Sequence, residues 1–559
     1  MTASTPKDQK TSKTQIYRII FTIALIGLVV ISALPLTSPR AVPADAPAER
    51  FSAERAMADL AVVAKEPHAA GSPAQAKVRD YILAQAAALG QAAEVQKSGQ
   101  VENIIVRLPG SDSTGTVLIT GHYDSQPPSP GAGDDGISPA AMLETMRVLA
   151  ASPALRNDIV FLFSDGEEKS YLGSKAYLKD FPEAKDQTGV LLCFDGLPGN
   201  GPLTLTETSP KDAWLVRELS ASRPALLANS RFNSEERGEI DTDCTMFFAS
   251  GYHGFEFENH TRGTLYHTAG DTVDAISPRL MQSFGTTMEG TARHFGDLDL
   301  AQAEYSSDVD FFSASLVSIA RYPTWLTTAS AILAMLAFVG LVAAAVLQKK
   351  MAIGRSLLGA LGFLAAALLI TALAAVAWQA LLAIFPTSRQ LTLDYLDFAG
   401  STGWKTGMLL VSLALGILAL FGLSRKVNIA GLTAGGILVF MLVWWLAYIA
   451  MDSDNPLTTP HLAWTLLGGV AGLAALLFAR KPLWLLVCLF LAAIPILVVV
   501  TPVIVLLTYQ EPWISILGLV LVLGIMIPQL AVVMGWEKLV TTQSIVTREA
   551  GQAGAAPVN

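Results

Sequence analysis

The chain has 559 residues with a formal net charge of −9, and 52% of them are hydrophobic while 15% are charged. This length allows more than one structural unit, and an acidic balance without a cluster of lysine and arginine argues against a nucleic-acid partner. The three cysteines, Cys193, Cys244 and Cys488, show no CxxC spacing, which argues against a disulfide framework. Cys193 and Cys244 could pair only if the fold brings them together.

The two halves of the chain differ sharply in composition. The first 310 residues contain six of the seven histidines and almost all of the acidic residues. From Pro323 onward, apolar runs alternate with short polar loops. The overall composition therefore averages a soluble α/β domain and a bundle of membrane-spanning helices.

The N-terminus carries a candidate membrane anchor. Residues 1–18 are polar and basic, and residues 19–36 form an uncharged run of 18 residues, which is enough for one tilted span. The alternative is a cleaved signal peptide, because the small-residue stretch AVPADAPA follows. The long basic segment and the length of the run favour an uncleaved anchor, and in either case the residues that follow are translocated.

Helical and extended patterns then alternate up to residue 296. Segments 49–65 and 72–90 have apolar residues at helical spacing, and two extended segments between 94 and 110 predict a hairpin or sheet edge. Beyond them we predict strands at 117–121, 158–164, 189–195, 203–208 and 253–258, and helices at 139–151, 171–180, 211–221, 241–249 and 278–296. This alternation predicts an α/β fold with a mostly parallel sheet flanked by helices.

Seven apolar runs follow Pro323 and predict an all-α, multi-span membrane bundle. The runs cover about 324–347, 356–385, 404–423, 427–451, 461–479, 483–508 and 513–535. Alternate loops are rich and poor in Lys and Arg, so the positive-inside rule places the N-terminus in the cytoplasm. The predicted organisation is a cytoplasmic tail at 1–18, an anchor at 19–36, a non-cytoplasmic domain at 45–305, a seven-span bundle at 324–535 and a cytoplasmic tail at 536–559.

The compartment is less constrained than the topology. The compact loops, the Ala-rich spans and the lack of a disulfide framework favour a bacterial inner membrane, with the domain facing the periplasm. The sequon Asn259-His260-Thr261 has a meaning only in a eukaryotic secretory compartment. We therefore expect a periplasmic domain in preference to one in a eukaryotic endomembrane.

Acidic residues and a histidine collect at the ends of the predicted strands. His122 and Asp124 follow strand 117–121, the pair Glu167 and Glu168 follows strand 158–164, and Asp195 closes strand 189–195. Open α/β sheets bind ligands at the carboxyl ends of their strands. Because so many carboxylates in one crevice cost several kcal/mol unless a cation neutralises them, the pattern predicts a metal site for two divalent ions.

Two further residues extend this set, although each has a simpler explanation when taken alone. Asp134 lies in a Gly-rich loop before a predicted helix and could be an N-cap. His267 lies in the polar segment LYHTAGDT, where Asp271 or Asp274 could orient it. Together with the strand-end residues, they supply the nitrogen and oxygen ligands that zinc or manganese accepts.

Five motifs in this order resemble those of the co-catalytic dizinc aminopeptidase family. They read GHYDS, GAGDDG, DGEE followed by LGS, FDG and YHTAGDT. The segment PHAAGSPAQAKVRDYI and the trailing multi-span region resemble the membrane-anchored branch of that family, which includes the endoplasmic reticulum metallopeptidase and the vacuolar membrane protease. The resemblance covers residues 50–300 motif by motif and the rest by architecture only.

The resemblance implies a zinc-exopeptidase-like fold with two zinc ions in the domain. The implied zinc ligands are His122, Asp134, Glu168, Asp195 and His267. Asp134 would bridge the ions, Asp124 would orient His122, and Glu167 would be the general base that later protonates the leaving amine. His260 is an alternative to His267, but only His267 has the YHTxxDT surroundings.

The expected function is that of a membrane-anchored zinc aminopeptidase that hydrolyses N-terminal residues of peptides. The same scaffold could instead serve a carboxypeptidase or a glutaminyl cyclase, or the bundle could be a transporter or platform that carries the domain. Gln379 and Gln529 are the main polar residues of the spans, whereas ion pathways use ionisable residues, so an anchoring bundle is favoured. The expected partners are peptides and the lipid bilayer; the sequence does not predict the preferred residue or the oligomeric state.

Overall fold

The computed structural model divides the chain into two compact units, which are described separately. An α/β unit covers Pro35–Pro323 and Pro386–Thr402, and a helical unit covers Met1–Leu34, Thr324–Phe385 and Gly403–Asn559. The structure describes residues 6–33, 39–199, 203–224, 226–230, 242–259, 265–314, 318–384, 401–450, 460–479, 481–510 and 512–534. The tail at 536–559 and the alternative ligand His260 lie outside the described residues.

An eight-stranded sheet forms the centre of the α/β unit. Its strands are β1 (Ala93–Ser98), β2 (Val101–Leu108), β3 (Thr116–His122), β4 (Asp158–Ser164), β5 (Thr188–Asp195), β6 (Leu203–Thr208), β7 (Leu227–Ala228) and β8 (Gly254–Asn259), in the spatial order β1-β2-β4-β3-β5-β8-β6-β7. The four central strands, β4, β3, β5 and β8, run parallel. β1 and β2 on one side and β6 on the other join with antiparallel pairings. The predicted α/β fold class is confirmed, with a parallel centre and mixed edges.

Helices cover both faces of this sheet because its central strands are apolar on both sides. In β3, Val117 and Ile119 pack into one buried cluster and Leu118 packs into the other, as expected for alternate residues of a strand that lies between two layers. The helices are α2 (Ala53–Val63), α3 (Pro73–Ala88), α4 (Ile137–Ala150), α5 (Leu172–Asp180), α6 (Ala184–Gln187), α7 (Ala213–Ser222), α8 (Asp243–Ala249) and α9 (Pro278–Asp297). Ser52 and Ser72 cap α2 and α3 with their side chains, which fixes where these helices begin.

Two features of this unit go beyond the predicted elements. Strands β9 (Val309–Ala314) and β10 (Ser318–Pro323) pair in an antiparallel two-stranded sheet. Cys193 of β5 and Cys244 of α8 are both buried free thiols, and they belong to the same buried cluster. The fold thus brings together the two cysteines whose pairing the sequence had left open.

The helical unit contains α1 and all the helices after Pro323. They are α1 (Pro6–Ala33), α10 (Thr324–Leu347), α11 (Ile353–Ile384), α12 (Ser401–Ser424), α13 (Ile429–Ala450), α14 (Pro460–Phe478), α15 (Pro482–Gln510), α16 (Pro512–Ile525) and α17 (Ile527–Val533). Among the described residues, five helices are long and apolar enough to cross a membrane, or six if α16 and α17, bent by 78°, form one broken span. Shorter apolar helical segments lie at Ala463–Phe478 and Leu483–Val498. The chain is a membrane protein, and the number of eight spans stays a prediction.

Helix α1 packs as part of the helical unit. Phe21 and Leu25 on α1 are buried in the same apolar cluster as residues of α13 to α17. The Arg18 guanidinium donates hydrogen bonds to the carbonyl oxygens of Val532 and Val533 at 3.1 and 3.0 Å, which are the last two residues of α17. These contacts give α1 a packing role in the folded unit.

Candidate metal centre

The parallel pairing of β4, β3 and β5 brings several polar side chains to one edge of the sheet. His122 is the last residue of β3 and pairs in register with Ser164, the last residue of β4. Asp195 is the last residue of β5. Glu167 and Glu168 follow β4 in a short 3₁₀ turn, Glu167–Lys169, after Gly166, whose φ of 71° is left-handed. These side chains therefore converge at the carboxyl ends of neighbouring strands.

Asp134 reaches this edge from the loop between β3 and α4. Its φ and ψ of −112° and 90° are not helical, and the N-cap of α4 is Gly136, which makes no side-chain cap bond. Asp134 is buried and points to the strand ends. The interpretation of Asp134 as an ordinary N-cap is therefore wrong.

The five side chains lie together in two groups that share Asp134. In one group, His122 Nε2 lies 3.4 Å from Asp134 Oδ1 and 3.9 Å from Asp195 Oδ1. In the other, His267 Nε2 lies 3.2 Å from Asp134 Oδ2 and 3.0 Å from Glu168 Oε1. Each group offers three ligand atoms that all lie within 4.8 Å of one another. One carboxylate thus presents its two oxygens to two different histidines.

The atoms of each group are suited to binding zinc. His122 Nε2, Asp134 Oδ2, Glu168 Oε1 and His267 Nε2 are buried and make no hydrogen bond, which is costly for polar atoms unless another partner binds them. Two atoms that each lie about 2.1 Å from a tetrahedral zinc ion are about 3.4 Å apart. The distances of 3.0 to 3.9 Å between histidine nitrogens and carboxylate oxygens and the set of imidazole and carboxylate donors agree with that geometry.

The raised pKa values of the clustered carboxyl groups also favour a bound cation. Burial raises the pKa of Glu167 to about 10, with the carboxylates of Asp243 and Asp195 adding to the effect. Burial and the neighbouring Asp134 raise the pKa of Glu168 to about 8, and burial and Asp134 also raise the pKa of Asp195 to about 7. Divalent cations would oppose these shifts, because nearby positive charge favours the ionised carboxylates.

Asp124 connects His122 with the turn that carries Glu167. Its Oδ1 atom accepts a hydrogen bond of 3.1 Å from the backbone N–H of Glu167 and lies 3.3 Å from Nδ1 of His122. The backbone oxygen of Asp124 is 3.0 Å from the same Nδ1 atom. Burial alone lowers the pKa of His122, but Asp124 and Asp134 raise it well above its usual value.

Sequence reasoning missed three residues next to this centre. Asp135 accepts hydrogen bonds from the backbone N–H groups of His122 at 3.1 Å and Gly196 at 2.8 Å. Asp243, buried at the start of α8, accepts hydrogen bonds from the hydroxyls of two serines, Ser164 and Ser174. The ring of Tyr266 stacks on that of His267. Two of these residues could have been found from the motifs, because Asp135 follows Asp134 in GAGDDG and Tyr266 precedes His267 in YHTAGDT. No local sequence pattern pointed to Asp243.

The two acidic residues after His267 differ in their surroundings. Asp274 is exposed. Asp271 is buried, and its carboxylate accepts hydrogen bonds from the N–H groups of Gly133 and Asp134. Among the described residues, the structure thus shows Asp271 bonded to the loop of Asp134 and not to the ring of His267.

Asn259 of the sequon is engaged inside the fold. It is fully buried, its Oδ1 accepts from the N–H of Leu197 and its Nδ2 donates to the Leu197 carbonyl, both at 2.8 Å. The other two sequon residues lie outside the described residues. The folded chain therefore does not present the Asn259 amide as a glycosylation site.

Part of the α/β unit is similar to known proteins. Residues 103–292 match the model of peptidase family M28. Endoplasmic reticulum metallopeptidase 1 of Mus musculus is 30% identical over 239 residues, 40% of this chain and 26% of that protein. Vacuolar membrane protease of Candida albicans (strain WO-1) is 27% identical over 290 residues, 48% of this chain and 34% of that protein. The match thus spans about a quarter to a third of the length of these relatives.

Among solved structures, the chain is similar to BSAP, a zinc aminopeptidase from Bacillus subtilis. The sequence identity is 16% and the TM-score is 0.38, and the match covers 46% of this chain and 98% of that chain.

Proposed function

We propose that residues 103–292, which match the model of peptidase family M28, form a domain of that family. From this premise, we propose that the protein is a membrane-anchored zinc aminopeptidase that removes N-terminal residues from peptides. The observation that carries the proposal is the position of Asp134, whose two oxygens face His122 and His267. A shared carboxylate between two such groups is what a two-metal site requires. The adjacent Glu167 completes the set of residues needed for hydrolysis.

Each residue then has a distinct role in the proposed site. His122 and Asp195 would hold one zinc ion, Glu168 and His267 the other, and Asp134 both. Zinc bound there would polarise a peptide carbonyl and make a water molecule more acidic. The Glu167 carboxylate would take the proton of that water and give it to the leaving amine, and the N–H bond to Asp124 would keep the Glu167 turn in place.

The choice of an aminopeptidase over a carboxypeptidase rests on the five motifs that resemble those of the dizinc aminopeptidases. Charge adds nothing to this choice. The carboxylates of Asp243, Asp195 and Asp124 act on Glu167, but two zinc ions would add four positive charges to the same crevice.

The helical unit would serve as a membrane anchor for this domain. Gln379 is exposed on α11, and the Gln529 side chain is buried and donates to the Leu489 carbonyl. Neither residue is ionisable, and ionisable groups are what ion and proton pathways use. We place the catalytic domain on the non-cytoplasmic side, facing the periplasm if the host is bacterial.

The decisive experiment compares Glu167→Gln with the wild-type full-length chain in detergent. The variant should lose hydrolysis by about 10²–10⁴-fold while it retains the same zinc content, because Glu167 is not among the proposed ligands. Glu183→Gln is the matched control, since Glu183 is exposed before α6, and it should leave both quantities unchanged. Equal activity of Glu167→Gln and wild type would exclude the proposed general base.

The substrate end is tested with a panel of peptides. Aminoacyl reporters and free peptides should be cleaved at the first residue, whereas N-acetylated peptides should not. Release of C-terminal residues from the acetylated peptides would point to a carboxypeptidase. Formation of pyroglutamate from N-terminal glutamine would point to a glutaminyl cyclase.

A further inference from the structure

His267 and Asp271 both contact the loop that contains Asp134, one through its carboxylate and the other through its backbone. His267 Nε2 faces Asp134 Oδ2 and Glu168 Oε1. Asp271, four residues later, is completely buried, and its carboxylate accepts hydrogen bonds from Gly133 N at 2.6 Å and Asp134 N at 3.2 Å. The side chain of one residue thus faces the Asp134 carboxylate, and that of the other holds the Asp134 main chain.

Two more bonds join these loops. The Ser129 hydroxyl donates to Asp271 Oδ2 at 3.2 Å, and the N–H of Ala132 donates to the backbone oxygen of Asp271 at 3.2 Å. All the donors come from the segment between residues 129 and 134. Every one of these bonds to Asp271 therefore ties the His267 loop to the loop of the shared ligand.

The backbone N–H groups of Gly133 and Asp134 need an acceptor from outside their own segment. Gly131 has a left-handed φ of 68°, and Asp134 departs from helical geometry, so a regular helix does not satisfy the N–H groups of Gly133 and Asp134. A buried carboxylate can accept several N–H bonds and so replaces the missing helical acceptors. Without it, the Asp134 loop would have buried donors and no fixed conformation.

We propose that Asp271 is a positioning residue of the metal centre, which holds the Asp134 main chain and the His267 loop as one unit and so places two ligands of the same ion together. This inference rests on the proposed two-metal function. Asp271 touches neither metal nor substrate in this scheme. Its effect passes through the backbone of Asp134, and it differs from the expectation that Asp271 orients the His267 ring.

The test measures zinc affinity of the full-length chain in detergent against a chelator that sets the free zinc concentration. Asp271→Asn keeps the size of the side chain but presents an NH₂ group to backbone donors. We expect one of the two zinc equivalents to bind about 10–100-fold more weakly, as for other groups that orient metal ligands. Asp274→Asn, in the same loop but at an exposed position, should bind zinc like the wild type.

The thermal unfolding of the zinc-free chain distinguishes positioning from a general structural role. A lower unfolding midpoint of zinc-free Asp271→Asn, with both zinc affinities equal to wild type, would overturn the inference. Ser129→Ala removes one donor to Asp271 and should weaken the same equivalent by less than about tenfold, as one bond among several. If Asp271→Asn does not fold, an unchanged zinc affinity of Ser129→Ala counts against the inference.

The proposed two-metal function is tested separately, by the number of zinc equivalents that the wild-type chain binds. A wild-type chain that binds fewer than two zinc equivalents contradicts the two-metal function. In that case the Asp271 inference is judged on the remaining equivalent, whose affinity the Asp271→Asn variant should still reduce. A wild type with two equivalents and an unchanged variant contradicts only the role of Asp271.

Discussion

The ring of Tyr266 stacks on the ring of His267, with centroids 3.7 Å apart and an angle of 21° between the planes. His267 has a positive φ of 54°, so its backbone does not adopt the usual conformation of a non-glycine residue. Burial raises the pKa of the Tyr266 hydroxyl, and the carboxylates of Asp134 and Glu168 add to the effect. The His267 imidazole is thus packed against an aromatic ring beside the candidate metal centre.

The first prediction separates the ring of Tyr266 from its hydroxyl. Tyr266→Ala removes the stacked ring and should weaken zinc binding by about two- to tenfold, in line with about 0.5–1.5 kcal/mol for such a contact. Tyr266→Phe keeps the ring and should bind zinc like the wild type. Zinc titration of both variants decides the point, and equal affinity of the Ala variant and the wild type would show that the stack does not position His267.

The second prediction concerns Asp124. Asp124→Asn keeps one oxygen, but it loses the charge that faces His122 Nδ1 and accepts from the Glu167 N–H. We expect both zinc affinity and kcat/KM to fall by about 10–100-fold. Asp112→Asn, at an exposed position in the loop before β3, should change neither. Unchanged values for Asp124→Asn would mean that the Asp124 backbone oxygen alone orients His122.

The third prediction is a pH dependence of stability from Asp212. Burial raises the pKa of Asp212 to about 6, although its carboxylate accepts hydrogen bonds from Thr208 Oγ1 at 2.9 Å and Val309 N at 3.1 Å. The Asp212 carboxyl group therefore binds its proton more tightly in the folded chain than in the unfolded chain. Stability must therefore fall as the pH rises from about 4 to about 6, and the full cost applies above about 6.

Asp212→Asn removes this cost, so the variant should exceed the wild type in stability by at most about 3 kcal/mol at pH 7.5. The gain should be smaller at pH 5 and absent near pH 4. Thermal unfolding of the full-length chain at several pH values measures it, with the exposed Asp45→Asn as the control without a pH-dependent gain. A gain that does not grow with pH would contradict the raised pKa.

The fourth prediction concerns the fate of α1. Arg18 donates to the carbonyls of Val532 and Val533, which lie in the last turn of α17, where the regular i to i+4 hydrogen bonds of the helix end. A cleaved signal peptide would remove these bonds, so we expect the mature protein to retain an N-terminal epitope together with a C-terminal one. Arg18→Gln should lower the thermal midpoint in detergent, whereas Lys426→Gln, at an exposed basic position, should not. Loss of the N-terminal epitope from the membrane fraction would favour the signal peptide.

Local sequence was sufficient to predict the central elements of the α/β unit. The predicted strands at 158–164 and 203–208 coincide with β4 and β6, because turn residues bound the apolar run DIVFLFS and the alternating segment LTLTET. The direction of β6 was not predictable, since it depends on pairing with β8, about 50 residues later. The β9–β10 hairpin was missed because its mixed sequence, VDFFSA and SIARYP, has no clear alternation.

The candidate site shows the same division between local and distant information. The motifs predicted His122, Asp134 and Glu168 as neighbours because each follows a strand or precedes a helix in a recognisable way. The contacts of Asp243 with Ser164 and of Asp271 with Gly133 join residues 79 and 138 positions apart. Such bonds depend on how the loops fold over the sheet edge, which a single sequence does not encode in any local pattern.

The hydrogen bonds of Asp135 have a consequence for how this scaffold can change. The Asp135 carboxylate accepts hydrogen bonds from the backbone N–H groups of His122 and Gly196. It therefore connects the ends of β3 and β5 through the main chain, without using the side chains that face the crevice. The spacing of the donor atoms is thereby a property of the backbone. Under the proposed function, substitutions in the surrounding walls would alter which peptides enter, while the spacing of the proposed metal ligands stays the same.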